Sequence, residues 1–444
     1  MTRRWRFIYL GALALALLVG FGAWNPIGRA TAHGRREVPK YRVDASWPKP
    51  LPGDATQISP TTGKPKPWVT ADVGGTCVDS RDRVWTVNRA FQATATAPNQ
   101  LVAPETVIAV PSPPVVAYTR RGDVYTAWGN PDVVPGGIHG CFVDYQDNVW
   151  IAGNGDGIVQ KYSQDGQLLL QIGTRGVCDW PANNNACGNS GSDPTANKSH
   201  TLLNQPADIA VDPKNGDVYV ADGYGNHRVV VFDKNGKWLR HWGGVVQDAL
   251  HPNATPHDRG SFTAGDGGHP HCVVLAQHNK LYVCDRGSDR ILVFDRKPTH
   301  CDTSVDPPIC QPDQIIDVLP GTGVTQGPGG AAPLGTAGSA WDLAFSNDRQ
   351  QTFMFEADGG NEILHVMDRL SGAILGGTGQ PGHQAGQFTF LHTVAIDSRG
   401  NLFTGETING RRIQKFVKVG GDRDGDRDDD DRDDDRGGWG GRGD

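Results

Sequence analysis

The chain has 444 residues and a formal net charge of −7. From Gly420 onward, eleven aspartates and five arginines supply −6 of that charge, so the body is nearly neutral. A near-neutral body has no electrostatic footprint for nucleic acid, which excludes that class of partner.

Residues 1–32 read as an export signal: Arg3, Arg4 and Arg6 form a basic start, "FIYLGALALALLVGFGAW" is the apolar stretch, and Ala30 to Ala32 is a small-x-small cleavage site. "TRRWRF" is faintly similar to a twin-arginine export signal. The alternative is an uncleaved membrane anchor, because the run approaches the roughly 20 apolar residues of a spanning helix. Cleavage is preferred, and it puts the protein in the periplasm or outside the cell.

Residues 33–419 contain six repeated units, from "GGTCVDSRDRVWTVNRA" at Gly74 to "FLHTVAIDSRGNLFTGETINGRRIQKF" at Phe390. Each has a short apolar strand, an Asp/Gly/Asn turn, and a second strand centred on Trp85, Trp150, Tyr219, Tyr282, Phe355 or Phe403. A third strand such as "RVVVF" follows, and several units close with a fourth. Four short antiparallel strands per repeat predict an all-β fold, a six-bladed β-propeller. The sixth unit lacks its outermost strand, which "KYRVDASWP" near Tyr41 is placed to supply. The third repeat, with "VYVADGYGNHRVVVF", strongly resembles the NHL repeat.

Eight cysteines in an exported chain permit disulfides. Cys178 with Cys187 and Cys301 with Cys310 each bracket a short Pro/Asn/Asp-rich insertion and are the expected pairs. Cys272 and Cys284 fall opposite each other across the turn "AQHNK", in contact or bonded. Cys77 and Cys141 are expected as buried free thiols. The tail, residues 420–444, is too polar to bury a core and reads as disordered, with weak calcium or surface binding as the alternative.

Register within the repeats makes His139, His271 and His392 equivalent, in "IHGCFVD", "PHCVVLA" and "LHTVAID". They belong to units two, four and six, which lie about 120° apart in a six-bladed ring whose first strands line the axis. Gly74, Ala207 and Trp341 hold this register in the other units, so the repeat itself does not require histidine. Three converging imidazoles with an open fourth position are the ligand set of catalytic zinc. His269, across Pro270 from His271, is an alternative ligand or a supporting partner, and Cys141 shares the pleat phase of His139.

Residues just after the second strands share a rim with the histidines. Arg89 and Arg286 stand there in units one and four, with Tyr224 one residue further on in unit three. Guanidiniums bind carboxylates or peptide carbonyls in forked geometry. A tyrosine between a metal and an arginine is placed to act as a base. The plainer readings are a salt bridge from Arg286 to Asp285 or Asp289 and a packed rim aromatic at Tyr224.

These residues resemble the catalytic domain of peptidyl-α-hydroxyglycine α-amidating lyase, a six-bladed NHL-type propeller, over roughly Val73 to Val417. The most specific stretches are "LLNQPADIAVDPKNGDVYVADGYGNHRVVVFDKNGKWLRHWG", "HPHCVVLA" and "CDRGSDRILVF". The resemblance implies zinc on His139, His271 and His392, catalytic Tyr224 and Arg89, and a further matching arginine in Arg286 that binds substrate. The implied reaction cleaves a peptide's C-terminal α-hydroxyglycine into an amide and glyoxylate.

Four departures qualify it. Thr393 stands where the animal enzymes carry an aspartate that helps hold calcium, so calcium is not expected. Gly225 replaces the cysteine expected after the tyrosine. The insertion "GVCDWPANNNACGNSGSDPTANKSH" enlarges a loop and could reshape the substrate cleft. No copper monooxygenase domain, the source of the hydroxyglycine substrate, accompanies the repeats. A peptide or small molecule is the expected substrate, and a membrane is a partner only if the first segment is retained. The alternative is an exported, non-catalytic propeller that binds protein, peptide or glycan. A calcium-dependent lactonase or esterase is the weakest reading, because no acidic residue occupies the axial register.

Overall fold

An Asp-anchored turn explains why several of the repeats begin as a hairpin. Asp79 accepts the backbone N–H groups of Arg81 and Arg83 through Oδ1, both at 2.9 Å, and the Trp85 indole N–H through Oδ2, also at 2.9 Å. Asp144 does the same one repeat later with Gln146, Asn148 and Trp150. The side chain thus closes the turn and ties it to the buried aromatic of the second strand. Second strands such as Val84–Asn88, Val149–Gly153 and Val218–Asp222 are buried along their whole length, so their apolar runs are continuous rather than alternating.

The computed structural model describes residues 37–93, 99–180, 187–188, 195–244, 262, 270–318 and 338–420. The export segment, His269 and the tail beyond Gly420 lie outside the described residues. Of the first unit of the chain, residues 1–38, only Glu37 and Val38 are described. Among the described residues no helix is long and apolar enough to cross a membrane.

The second unit, Pro39 onward, holds six four-stranded antiparallel sheets among its described residues. Five are built from consecutive repeat strands. The sixth completes itself with Lys40–Asp44, which pairs with Arg412–Val419, as expected for "KYRVDASWP". The first strands of the six sheets are Val73–Val78, Ile138–Val143, Asp208–Val211, Cys272–Ala276, Ala340–Phe345 and Leu391–Ile396. Each packs against the next, and the last packs back on the first. That cycle is a β-propeller, and it removes the free inner edges an open sheet would have to protect. It encloses an axial cavity of about 220 Å³.

Four disulfides join the cysteines. Cys178–Cys187 and Cys301–Cys310 are the local staples expected, and Cys272–Cys284 is a cross-strand bond. Cys77 and Cys141, expected as free thiols, are bonded to each other. Their separation of 64 residues hides the pairing in sequence. The inner strands of the first two sheets approach closely because Gly74 and Gly75 lack side chains: a Cβ would lie 2.4 Å from the Ile138 carbonyl oxygen and 2.6 Å from the Cys141 nitrogen. The bond also removes Cys141 as a thiolate ligand.

Candidate metal centre and its rim

His139 and His392 are the second residues of their inner strands, and His271 immediately precedes its own. All three imidazoles are buried, with ring centroids 4.6, 4.9 and 5.1 Å apart. The backbone of the neighbouring sheet orients two of them. His139 Nδ1 is 2.7 Å from the Ala207 carbonyl oxygen and His271 Nδ1 is 2.6 Å from that of Trp341. A carbonyl only accepts, so each Nδ1 carries the proton and each Nε2 presents a lone pair to the axis.

Burial holds the His139 imidazole well below its ordinary pKa, with Arg89 and Arg286 adding to the effect. For His392 burial acts first, followed by the other two histidines and the same arginines. The Nε2 atoms of His392 and His139 are 3.1 Å apart. Two nitrogens bound tetrahedrally to one zinc ion, at about 2.0–2.1 Å each, would be roughly 3.3 Å apart. The Tyr224 hydroxyl lies 3.1 and 3.2 Å from the Nε2 atoms of His139 and His271. One hydroxyl proton cannot serve both lone pairs. A buried, neutral, proton-poor set of imidazoles fits a divalent cation.

Tyr224 is aimed by two glycines. At Gly223 a Cβ would lie 1.8 Å from the Pro270 carbonyl oxygen, and at Gly225 it would lie 2.2 Å from Asn204 Oδ1. The loop therefore threads between Pro270 and Asn204, and Gly225 stands where no cysteine side chain would fit. An Arg286 guanidinium nitrogen donates to the Tyr224 hydroxyl at 3.0 Å, and the guanidinium lies 4.4 Å over the Trp341 ring. Asp285, one of the two salt-bridge partners weighed for Arg286, pairs with Arg290 at 2.7 Å. Arg89 donates Nε to the Ile138 carbonyl at 2.6 Å and lies 3.7 Å from Asp72. Burial lowers its pKa, an effect that Asp72 and Tyr224 oppose. The six residues singled out in sequence thus share one end of the axial channel, and the arginine that touches the tyrosine is Arg286.

Two residues were missed. Asp208 and Asp342, one position after the axial register, are half-buried and line the same cavity. Each is held by the next sheet, Asp208 by the Val273 N–H at 3.0 Å and Asp342 by the Val394 N–H at 2.9 Å. Burial pushes Asp208 up to about 7. Burial and then Asp208 itself push Asp342 well above the usual carboxylate range. The axial register itself carries no acidic residue, as read from the sequence, and the two carboxylates stand at the next position. The signal was an aspartate inside an apolar strand, in "ADIAV" and "WDLAF".

Residues 203–232 match the NHL repeat model. The peptidyl-glycine α-amidating monooxygenase of Mus musculus is 31% identical over 160 residues, 35% of this chain but 13% of that protein. NHL repeat-containing protein 3 of Homo sapiens is 29% identical over 196 residues, covering 41% of this chain and 46% of that one. Its Mus musculus counterpart is 24% identical over 331 residues, 69% of this chain and 73% of that one. The chain thus spans less than half the length of the first two relatives. Among solved structures, virginiamycin B lyase from Staphylococcus aureus aligns with 85% of this chain and 88% of its own at 13% identity and a TM-score of 0.42. The chain thus contains an NHL repeat within a β-propeller and is similar, over part of its length, to the amidating monooxygenases and the NHL repeat-containing proteins.

Proposed function

We propose that this exported chain is a six-bladed propeller that holds zinc on His139, His271 and His392. Its activity is cleavage of a C-terminal α-hydroxyglycine into an amide and glyoxylate, or of a closely similar carbinolamide into an amide and the corresponding aldehyde. The observation that carries the reading is a single hydroxyl, that of Tyr224, within 3.1 and 3.2 Å of two imidazole nitrogens and 3.0 Å of a guanidinium.

A zinc ion bound there would act as a Lewis acid on a substrate oxygen. The chain's own residues supply the rest. Tyr224 takes the proton of the carbinol hydroxyl, and the electron pair left on that oxygen forms the aldehyde C=O as the C–N bond breaks. The amide nitrogen receives a proton as it leaves, so substrate and products balance without oxidant or reductant. Arg286, in contact with the tyrosine oxygen, stabilises the phenolate, and Arg89 adds its positive field. Paired guanidiniums at this rim also suit the carboxylate that becomes glyoxylate. Four disulfides support an oxidising, exported setting.

The test is glyoxylate release from a short peptide ending in α-hydroxyglycine, with and without a chelator. Chelator-sensitive release supports the lyase. No release from protein carrying one equivalent of axial zinc overturns it and favours the binding reading.

A further inference from the structure

A second group of ligand-type side chains lies in the fifth sheet. Glu356 and His365 are directly opposed on the strands Phe353–Asp358 and Ile363–Asp368, so they share a face, and Asp358 is two residues along from Glu356 on that same face. One ligand atom from each of the three lies within 4.8 Å of the others, and all three residues are buried. None of them lines the axial cavity.

The bonding around this group is incomplete. Glu356 is 0% exposed, yet among the described residues neither of its carboxyl oxygens has a hydrogen-bond partner. His365 Nε2 also lacks one, and it lies 3.4 Å from Asp358 Oδ2. Asp358 is anchored: Oδ1 accepts the N–H groups of Gly360 and Asn361, and Oδ2 accepts the Asn361 side-chain amide at 2.7 Å. That leaves Oδ2 a further lone pair facing the histidine. The charged side chains that act on Glu356 are Asp358, Asp289 and Asp342, all acidic. Asp289 Oδ2 is itself buried without a partner.

A buried carboxylate with no hydrogen-bond partner, and with acidic side chains plus one imidazole around it, is costly to ionise, and a cation at that point would complete it. Two carboxylates and one imidazole nitrogen suit a divalent transition metal better than calcium, which favours six to eight oxygen ligands. We propose that Glu356, Asp358 and His365 form a second, structural site for a divalent transition-metal cation of the zinc type. It pins the second and third strands of the fifth sheet together. The proposal is independent of the lyase reading and of the axial site.

The experiment uses full-length protein stripped with chelator, reloaded with Zn²⁺, freed of excess by gel filtration, and analysed for zinc per chain. The wild type is expected to retain two equivalents. His139→Ala/His392→Ala is expected to retain one, and Glu356→Gln to retain one while keeping any axial activity. Glu356→Gln is nearly isosteric and cannot ionise, so its melting temperature in chelator is expected to equal or exceed that of the wild type. The axial double variant tests the site without touching it: retention of no zinc by that folded variant overturns the proposal. Retention of two equivalents by Glu356→Gln overturns it as well.

Discussion

The hydroxyl of Tyr224 accepts a hydrogen bond from Arg286 at 3.0 Å, although the two residues are 62 positions apart and follow the second strands of different sheets. The phenol oxygen is thereby set between a fixed positive charge and the axial imidazoles. Tyr224→Phe keeps the ring between Gly223 and Gly225 and deletes only that oxygen. Glyoxylate release is expected to fall by about 10²–10⁴-fold, the range for loss of a general base, with zinc content unchanged. Loss of zinc in that variant would instead make the hydroxyl a structural part of the metal centre.

Arg286→Lys retains charge but loses the planar stack on Trp341 and the fork that reaches Tyr224. Its kcat should fall more than its KM rises if the guanidinium acts mainly on the tyrosine. A change in KM alone would assign Arg286 to the substrate carboxylate. Steady-state kinetics on one α-hydroxyglycine peptide separates the two outcomes.

His139→Ala, His271→Ala and His392→Ala should each strip the axial zinc and abolish release. The three rings share one ion, and two nitrogens hold it far less tightly than three. Elemental analysis of each folded variant checks this. Any one of them that keeps axial metal and activity removes that histidine from the ligand set.

Much of this site was legible in the sequence because a propeller repeats its register. Equivalent positions in units two, four and six have to face one axis, so three histidines at one register imply convergence. The same logic put Arg89, Arg286 and Tyr224 on one rim. What register could not supply was contact between side chains. It did not reveal that Arg286, rather than Arg89, would reach the phenol, because that depends on the Trp341 ring beneath it. Asp208 and Asp342 escape it because they lie one position past the axial register yet still line the cavity. The acidic group in the fifth sheet was equally hidden: "FMFEAD" and "ILHVMD" read as ordinary strands until their pairing set Glu356 against His365.

The Cys77–Cys141 bond makes a stability prediction. It joins the inner strands of consecutive sheets and closes a loop of 64 residues. The chain-entropy model gives such a loop about 4 kcal/mol. Cys77→Ser/Cys141→Ser should therefore lower the melting temperature well below that of the wild type, and thiol titration of the unreduced, denatured wild type should find no free cysteine. Free thiols in that titration would show that the bond does not form.

Asp208 gives a pH dependence whose sign is fixed by its direction of shift. Burial raises its folded-state pKa to about 7, above the ordinary carboxylate value of about 3.9. Between those values the folded chain keeps a proton that the unfolded chain has released, so unfolding free energy falls as pH rises through that window. Below about 4 both states are protonated, and above about 7 neither is, so the slope vanishes at both ends. The loss across the window is on the order of a few kcal/mol, from about 1.4 kcal/mol per pKa unit. Asp208→Asn keeps an oxygen to accept the Val273 N–H but cannot ionise. Chelator-treated wild type should therefore lose stability from pH 4 to pH 7, while Asp208→Asn should show a much flatter profile in denaturant melts at each pH. Parallel profiles for the two proteins would place the buried charge elsewhere in the channel, with Asp342 the next carboxylate to replace.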